Sequence, residues 1–351
     1  MLISDFDFQL PEELIAQTPL EKRADSRMLV VDREKQDWQD AHFYDLENFL
    51  APEDVLVLNN TKVFPARLFG QSETGAKIEI FLIKENENKI WEALARPARR
   101  LKPGKKIGFG VRGEKLRAEV LDRDDEGKVF IRFETDGDFE QILDELGKTP
   151  LPPYIKRNEE SIHTDRERYQ TVFARERGAI AAPTAGLHFT PEIIAGIKGR
   201  GTTIAEITLH VGYGTFEPVR VTDISQHQVS PERCYISAET AQILNDAKAQ
   251  GRKILAVGTT TTRALESFTD ANGTGANGIL RSGTGLADIT ITPGYKFRFV
   301  DKLLTNFHLP RSSLLVLVSA FAGREFILSA YSHAVIEEYR FYSYGDCMLI
   351  V

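Results

Sequence analysis

Lys77-Ile-Glu-Ile-Phe-Leu-Ile83 is the first of several short stretches in which apolar and polar residues alternate. Turn signals such as Gly75 and Pro103-Gly104 bound these stretches. Period-2 strands at this spacing predict a small antiparallel barrel or sandwich over residues 63–157, with Leu151-Pro-Pro153 as its exit linker. The other alternating stretches are Trp91-Glu-Ala-Leu94, Leu116-Arg-Ala-Glu-Val-Leu121 and Val129-Phe-Ile-Arg-Phe133.

On both sides of this region, buried strands alternate with helices. Ser237 can cap a helix that runs to about Gln250, and a second helix is expected to start at Arg263. This alternation is typical of an α/β sheet. We therefore predict an α/β sandwich domain, residues 1–62 and 158–351, with a small antiparallel β-barrel domain, residues 63–157, inserted in it. The expected buried strands are Val55 to Leu58, Ile204 to Val211 and Ile254 to Val257.

Length and composition limit the class of protein. The chain has 351 residues, 42% of them hydrophobic and 27% charged, which argues for two globular domains and against collagen-like, coiled-coil or disordered classes. Cys234 and Cys347 have neither metal-site nor disulfide-framework spacing, so a reducing, cytoplasmic setting is expected. The N-terminus lacks a basic signal-peptide start, and the most apolar run, Leu314 to Ala322, is far shorter than the roughly 20 residues of a membrane span.

The sequence has no standard nucleotide-binding or hydrolase motif. This argues against a nicotinamide enzyme, an NTPase, a zinc protease and a serine hydrolase. Four polar loops after apolar runs are the candidate site instead. The first loop holds Thr184, Gly186 and His188 just before a helix start at Thr190. Free N–H groups at a helix N-terminus suit an anion or a carboxylate. The alternative is a capped turn in which His188 is merely hydrogen-bonded.

The second loop follows the strand that ends near His210. Gly212 and Gly214 would let a ligand approach the backbone closely, and His210 and Glu217 can both reach such a ligand. The alternative is a glycine-rich turn at a strand end. From the sequence alone, the two interpretations of this loop have equal weight.

The third and fourth loops complete the set. Thr259 to Thr262 and Arg263 form a polar cradle for a nucleoside, phosphate or carboxylate, and Glu266 can accept hydrogen bonds from ribose hydroxyls. Asn306 and His308 add directional hydrogen bonds. The alternatives are a Thr-rich strand end with a cap for the third loop, and a capped loop with a satisfied buried histidine for the fourth.

Charge is distributed unevenly along the chain. The whole sequence has 44 Lys and Arg and 51 Asp and Glu, a net charge of −7, whereas residues 63–157 hold 19 basic and 17 acidic side chains. Between Leu94 and Gly113 there are seven basic residues and no acid. Such a run is often just a solvated face, but in a small barrel it favours contact with RNA phosphates. The run consists of Arg96, Arg99, Arg100, Lys102, Lys105, Lys106 and Arg112.

A metal site is not expected. None of the seven histidines has another histidine two to five residues further along, and the cysteines lie elsewhere in the sequence.

Several sequence blocks, in order along nearly the whole chain, resemble one family: the S-adenosylmethionine:tRNA ribosyltransferase-isomerases of the queuosine pathway. The blocks are Asp5 to Gln17, Leu58-Asn-Asn-Thr-Lys-Val-Phe-Pro-Ala-Arg67, Ala182-Pro-Thr-Ala-Gly-Leu-His-Phe-Thr190, Thr208-Leu-His-Val-Gly-Tyr-Gly-Thr-Phe-Glu-Pro-Val219, Thr305-Asn-Phe-His-Leu-Pro310 and Tyr339-Arg-Phe-Tyr-Ser-Tyr-Gly-Asp346. One block departs from the family. Where the family has His-x-Met-His-Ser-Glu, this chain has His227-Gln-Val-Ser-Pro-Glu232, so no role is assigned to Ser230.

The resemblance implies that S-adenosylmethionine serves as a ribosyl donor. The acceptor is the aminomethyl group of preQ1 at the wobble position of a tRNA, the product is epoxyqueuosine, and adenine and methionine are released. It also implies an α/β domain with an inserted barrel. No membrane or protein partner follows from it. The open alternatives are a non-catalytic tRNA-binding protein and an ordinary methyltransferase, although the glycine-rich nucleotide turn of the latter is missing.

This chemistry assigns provisional roles to the loop residues. A general base must take a proton next to the sulfonium, and neutral imidazole or a carboxylate suits that step. Tyr213 and Phe216 are expected to favour the sulfonium through their aromatic faces. The predicted catalytic residues are His188, His210, Glu217 and His308. The predicted cofactor-binding residues are Thr184, Gly186, Gly212, Gly214, Thr259, Thr260, Arg263, Glu266 and Asn306.

Overall fold

The structure, a computed structural model, describes residues 1–86, 90–113, 115–125, 127–156, 162–216, 218–270 and 278–351. Its largest element is a nine-stranded mixed sheet, whose strands are numbered along the chain. In spatial order they are Gly283–Ala287 (β17), Glu232–Ile236 (β13), Thr203–Leu209 (β12), Val55–Asn59 (β3), Ile254–Val257 (β14), Lys302–Asn306 (β18), Cys347–Ile350 (β19), Arg27–Asp32 (β1) and Asp37–His42 (β2).

Four neighbouring strands at the centre of this sheet, β12, β3, β14 and β18, run parallel. Their side chains alternate between two cores, because successive residues of a strand point to opposite faces. Val55 and Val57 belong to one core, and Leu56 and Leu58 belong to the other. Since parallel strands share one carboxyl edge, the loops that follow them meet there.

Helices cover both faces of the sheet. They are Ile162–Arg168 (α2), Pro191–Gly199 (α3), Ala238–Ala249 (α4), Thr259–Ser267 (α5), Ser313–Ala322 (α6) and Arg324–Ile336 (α7). The start signals predicted from the sequence are confirmed. Thr190 Oγ1 accepts the N–H of Ile193 at 3.3 Å, and Ser237 Oγ accepts the N–H of Thr240 at 3.0 Å. Each bond satisfies one backbone donor that a helix start leaves open.

The expected start of α5 was wrong. The helix begins at Thr259, not at Arg263, so the threonines form its first turn and not a loop. Gly258, with φ 94°, turns the chain directly from β14 into the helix. The hydroxyl of Thr261 donates to the carbonyl of Val257 at 2.6 Å, and that of Thr262 to Gly258 at 3.2 Å. These bonds explain how β-branched residues fit a helix start.

Six strands close into an antiparallel barrel. Around the barrel they are Val129–Glu134 (β10), Ile90–Arg96 (β7), Lys77–Glu85 (β6), Arg67–Ser72 (β5), Lys106–Phe109 (β8) and Leu116–Arg123 (β9). Helix Phe139–Leu146 (α1) follows the barrel. Four strands match the alternating stretches, whereas β5 and β8 were not singled out. The glycines Gly70 and Gly108 explain this, since they interrupt the alternation of side chains in both strands.

Short strands mark the passage between the sheet and the barrel. Thr61–Val63 (β4), just before the barrel, pairs in parallel with Glu176–Ala179 (β11) after it, while Thr269–Asp270 (β15) pairs with Ile279–Leu280 (β16) elsewhere. The predicted fold class, an α/β sheet part with an inserted antiparallel barrel, is confirmed. The domain boundaries at residues 62/63 and 157/158 stay a prediction.

Candidate active site

A small cleft of about 40 Å³ lies at the carboxyl edge of the four parallel strands. It is bounded by the residues that follow β12, β14 and β18, and by the segment before the turn Thr184–His188. Ligands of open α/β sheets bind at this edge as a rule. The cleft is lined by Tyr169, Ala181, Ala182, Pro183, Thr184, Ala185, Val211, Gly258, Thr259, Thr260, Thr305, Asn306, His308, Leu314, Tyr342 and Ser343.

The N-terminus of α5 forms one wall of the cleft. Gly258, Thr259 and Thr260 line it, and the first backbone N–H groups of a helix have no partner inside the helix. The partial positive charge of the helix start and the threonine hydroxyls therefore suit a carboxylate.

Asn306, at the end of β18, forms the floor. Its Nδ2 donates to the carbonyls of Tyr342 at 3.1 Å and Asp346 at 3.4 Å and to His188 Nε2 at 3.2 Å. Its Oδ1 is buried, since the residue is only 2% exposed, and it has no hydrogen-bond partner among the described residues. A buried acceptor without a partner is costly, and a bound donor would satisfy it.

His188 lies behind Asn306. An amide nitrogen can only donate, so in the contact with Asn306 Nδ2 the acceptor is His188 Nε2, which leaves the proton on Nδ1. That Nδ1 lies 2.9 Å from Ser26 Oγ, which it can donate to. Burial, with smaller contributions from Arg23 and Arg340, lowers the pKa of His188 to about 3. The imidazole is therefore neutral at pH 7 and fixes the orientation of Asn306.

His308 lines the cleft directly. Its Nε2 lies 2.9 Å from Thr305 Oγ1, and its backbone N–H donates to the hydroxyl of Tyr331 at 3.0 Å. Burial lowers the pKa of His308 to about 3, so this imidazole is also neutral at pH 7. A neutral imidazole can accept a proton from a ligand in the cleft.

Tyrosines form a further wall of the cleft. Tyr342 and Tyr169 line the cleft, and the ring of Tyr154 lies 4.3 Å from that of Tyr342 between centroids. The hydroxyl of Tyr154 accepts the N–H of Ser343 at 3.2 Å. Tyr344 packs edge-on against Tyr169 at 5.8 Å.

Comparison with known proteins identifies the family. A family model described as "Queuosine biosynthesis protein" matches residues 3–350. The chain belongs to this family. It is 50% identical, over 100% of both chains, to a protein of Syntrophotalea carbinolica named S-adenosylmethionine:tRNA ribosyltransferase-isomerase. The crystal structure of S-adenosylmethionine tRNA ribosyltransferase from Thermotoga maritima matches with a TM-score of 0.55 and 37% identity, over 99% of this chain and 100% of that one. The chain is thus an enzyme of queuosine biosynthesis.

The structure brings together five of the site residues that we predicted for this queuosine biosynthesis enzyme. Thr184, Thr259, Thr260, Asn306 and His308 line one cleft. These residues come from three of the four polar loops.

His210 does not line this cleft. Its Nδ1 lies 2.8 Å from Thr61 Oγ1, and its ring packs on the backbone of Gly178, where a Cβ would lie 2.6 Å from the ring. Its neighbour Val211 lines the cleft instead. Burial and the nearby Arg233 lower the pKa of His210. Glu217, the carboxylate expected beside it, lies outside the described residues.

The three candidate glycines, Gly186, Gly212 and Gly214, contact other parts of the protein and not the cleft. A Cβ on Gly186 would lie 2.8 Å from Phe173 and Thr171, and one on Gly214 would lie 2.8 Å from Ser230. The N–H of Gly212 donates to Glu232 Oε1 at 2.9 Å. None of the three lines the cleft.

Arg263 and Glu266 face away from the cleft as well. Arg263 forms a buried ion pair with Glu232 at 2.7 Å, in which the side chains are 5% and 4% exposed. Its guanidinium also donates to three backbone carbonyls. Glu266 accepts the N–H groups of residues 298–300 and the hydroxyl of Tyr295. The distance along the helix explains this, since Thr259 and Thr260 lie in the first turn at the cleft, whereas positions 263 and 266 lie one and two turns further along the axis.

The basic run lies on the surface of the barrel. Within the run, the side chains of Arg96, Arg99, Lys102, Lys105 and Lys106 are exposed, whereas that of Arg100 lies outside the description. Arg96 lines a small cleft together with Tyr213, whose ring packs on Phe81 of the barrel at 5.7 Å. Tyr213 therefore contacts the barrel and not the cleft, contrary to its expected place beside a sulfonium. The side chain of Phe216 lies outside the described part of the chain.

Sequence reasoning missed the aromatic side of the cleft. Tyr342 and Ser343 lie in the block Tyr339 to Asp346, which carried the family resemblance but no predicted role. No local sequence pattern marks Tyr169 as a site residue.

In the described ranges, no three His, Cys, Asp or Glu side chains lie close enough together to hold a metal ion. No single helix of the described chain is long and apolar enough to span a membrane. Only the bent pair α6 and α7 meets that length and composition together.

Proposed function

We propose that the chain transfers the ribosyl moiety of S-adenosylmethionine to a tRNA and isomerises it there. The acceptor is the aminomethyl group of preQ1 at the wobble position, the product is epoxyqueuosine, and adenine and methionine leave. The observation that carries the proposal is the cleft itself, in a chain whose family match spans residues 3–350. We expect the reaction in the cytoplasm, with no metal and no protein partner.

The methionine part of the donor binds at the N-terminus of α5. Thr259 and Thr260 line the cleft there, and a helix start attracts a carboxylate. The unpartnered Oδ1 of Asn306 accepts a hydrogen bond from the donor's ammonium, ribose or adenine groups. Thr184 completes the polar lining. In this proposal, five of the predicted binding residues support the site and do not contact the donor themselves, because their contacts are with other groups of the protein. These residues are Gly186, Gly212, Gly214, Arg263 and Glu266.

His308 exchanges the proton at the reacting ribose. A sulfonium acidifies the carbon next to it, and His308 is the predicted catalytic residue that lines the cleft in the described part of the chain. His188 positions Asn306 through the hydrogen bond at Nε2. The catalytic roles of His210 and Glu217 stay predictions.

The tRNA approaches over the barrel. The basic run Arg96, Arg99, Arg100, Lys102, Lys105 and Lys106 contacts its phosphates in this proposal. A second groove lies next to the cleft, since Tyr169 lines both of them. This groove supports a path for the RNA to the cleft. The groove has four basic side chains, Arg23, Lys62, Arg166 and Arg177, and two acidic ones, Asp144 and Glu167. Arg166 and Arg177 form ion pairs with Asp144.

The reaction is tested by incubating the chain with S-adenosylmethionine and preQ1-containing tRNA. We expect free adenine and methionine, and a tRNA whose mass increases by the epoxycyclopentane unit. Formation of S-adenosylhomocysteine with one added methyl group would identify a methyltransferase. Tight tRNA binding with no release of adenine would identify a binding protein. Either result refutes the proposal.

The donor site is tested with a matched pair of threonine variants. Thr260→Val removes a hydroxyl that lines the cleft, whereas Thr262→Val removes one that bonds within the helix. Losing a hydrogen bond to a charged group costs about 1.5–3 kcal/mol, so Thr260→Val should weaken donor binding about 10- to 100-fold. Calorimetry should find near-wild-type binding for Thr262→Val. Equal effects of the two changes would contradict the placement of the carboxylate.

A further inference from the structure

Tyr342 is held in an unusual backbone conformation at the cleft. Its φ is 73°, a region that L side chains rarely adopt. Its N–H donates to the carbonyl of Phe307 at 3.0 Å, and its own carbonyl accepts from Asn306 Nδ2 at 3.1 Å. Strain of this kind persists where the surrounding structure enforces it, and it is frequent at functional sites.

Of the two tyrosines that line the cleft, Tyr342 is the partly exposed one, since Tyr169 is fully buried. Tyr342 is half-buried, whereas Ser343 and Tyr344 beside it are buried. The ring of Tyr154 backs it at 4.3 Å. A second ring behind the first restricts its movement, so the exposed face is presented in a fixed position.

The lining of the cleft carries no formal negative charge in the described part of the chain. None of the described lining residues is Asp or Glu. Besides hydroxyl and backbone oxygens, a cation that binds there meets the Oδ1 of Asn306 and the tyrosine rings as sources of negative potential. Ring faces attract cations through their quadrupole, most strongly where water is excluded.

We propose that the ring face of Tyr342, backed by Tyr154, recognises the sulfonium charge of the donor. This inference rests on the proposed function, since it takes S-adenosylmethionine as the ligand. It replaces the expectation for Tyr213, whose ring packs against Phe81.

The contact distinguishes the donor from its neutral relatives. S-adenosylhomocysteine has the same adenosine and amino-acid groups but an uncharged thioether sulfur, so it gains nothing from the ring. In the proposed reaction, the bond between the ribosyl carbon and the sulfur breaks, and the sulfur keeps the electron pair. The sulfur of the departing methionine is then neutral, so the attraction that held the donor does not hold the product.

The experiment compares the dissociation constants of S-adenosylmethionine and S-adenosylhomocysteine for the full chain and its variants. A cation–π contact corresponds to about 2- to 30-fold in affinity. Tyr342→Leu should weaken binding of the sulfonium compound by that factor and leave S-adenosylhomocysteine unchanged. Tyr342→Phe, which keeps the ring, should restore the preference. Equal weakening of both ligands by Tyr342→Leu would show a packing role and overturn the inference, as would no change.

A second series covers the case in which Tyr342→Leu does not fold. Phenylalanine with one to five fluorine atoms at position 342 keeps the shape of the ring and weakens its quadrupole stepwise. Affinity for the sulfonium compound should fall with each step, and a flat series overturns the inference. Release of adenine by the wild-type chain is measured in parallel. Its absence counts against the proposed reaction, whereas the charge preference is judged by the affinity ratio alone.

Discussion

His188 and His308 make the stability of the fold sensitive to acid in a defined direction. Burial lowers the pKa of both imidazoles to about 3. In the unfolded chain a histidine titrates near 6.5. Between these values the unfolded state binds more protons than the folded state, so the free energy of unfolding falls as the pH falls. The stabilisation is complete above pH 6.5 and is lost as the pH approaches 3.

The size of the effect follows from the distance between the two pKa values. Below pH 6.5, each histidine removes about 1.4 kcal/mol of stability per pH unit. From pH 7 to pH 5 this is about 2 kcal/mol for each imidazole and about 4 kcal/mol for both. Domains are commonly stable by only about 5–15 kcal/mol, so the loss is readily measured.

The assay is urea unfolding at pH 7 and pH 5 for the wild type, His188→Gln, His308→Gln and the double variant. Glutamine keeps hydrogen-bonding groups but does not titrate. Each single change should reduce the loss of stability between the two pH values by about 2 kcal/mol, whatever it does to stability at pH 7. The control is the double variant, in which the two reductions should add.

The reasoning is refuted if the variants lose as much stability on acidification as the wild type. The NMR signals of the imidazole nitrogens in the folded protein give an independent check. They should remain those of the neutral ring down to pH 5. Titration of either ring near pH 6.5 would contradict the burial argument.

Two further predictions concern charges elsewhere in the chain. Glu232→Gln leaves Arg263 without its buried partner and should cost about 3–5 kcal/mol in urea unfolding. Asp32→Asn breaks an exposed pair with Lys35 and should cost far less; similar losses would contradict the difference in burial. For tRNA binding, Arg99→Ala should make the slope of log K against log salt shallower by about 0.7–0.9, because one phosphate contact is lost, and Lys35→Ala should leave it unchanged. An unchanged slope for Arg99→Ala would make the basic run a solvated face.

The sequence predicted the elements whose causes are local. Period-2 alternation located β6 and β9, and the hydroxyl of Ser237 marked the start of α4. Side-chain periodicity and helix caps both depend on residues that are only a few positions apart, so the sequence alone can show them. Where a local signal is ambiguous, as in the threonine run before Arg263, the boundary of α5 was misplaced.

The sequence also predicted that polar loops follow the strands, but not which side chains enter the cleft. His210 and Val211 are adjacent, and they face opposite sides because the chain is still extended there. In the same way, Arg263 looked like a ligand-binding cation until its partner was known. That partner, Glu232, is 31 residues away and lies in strand β13, whereas Arg263 lies in helix α5.

By itself, then, the sequence determined four of the six barrel strands, the starts of α3 and α4, the inserted barrel and the family. The tertiary structure alone decided that Tyr154, Tyr169 and Tyr342 form one wall, and that Asn306 holds an unpartnered oxygen between that wall and α5. The physical reason is that these contacts join segments far apart in the chain. Their geometry is set by the packing of the sheet, its helices and the returning chain after the barrel, and no periodicity along the sequence records it.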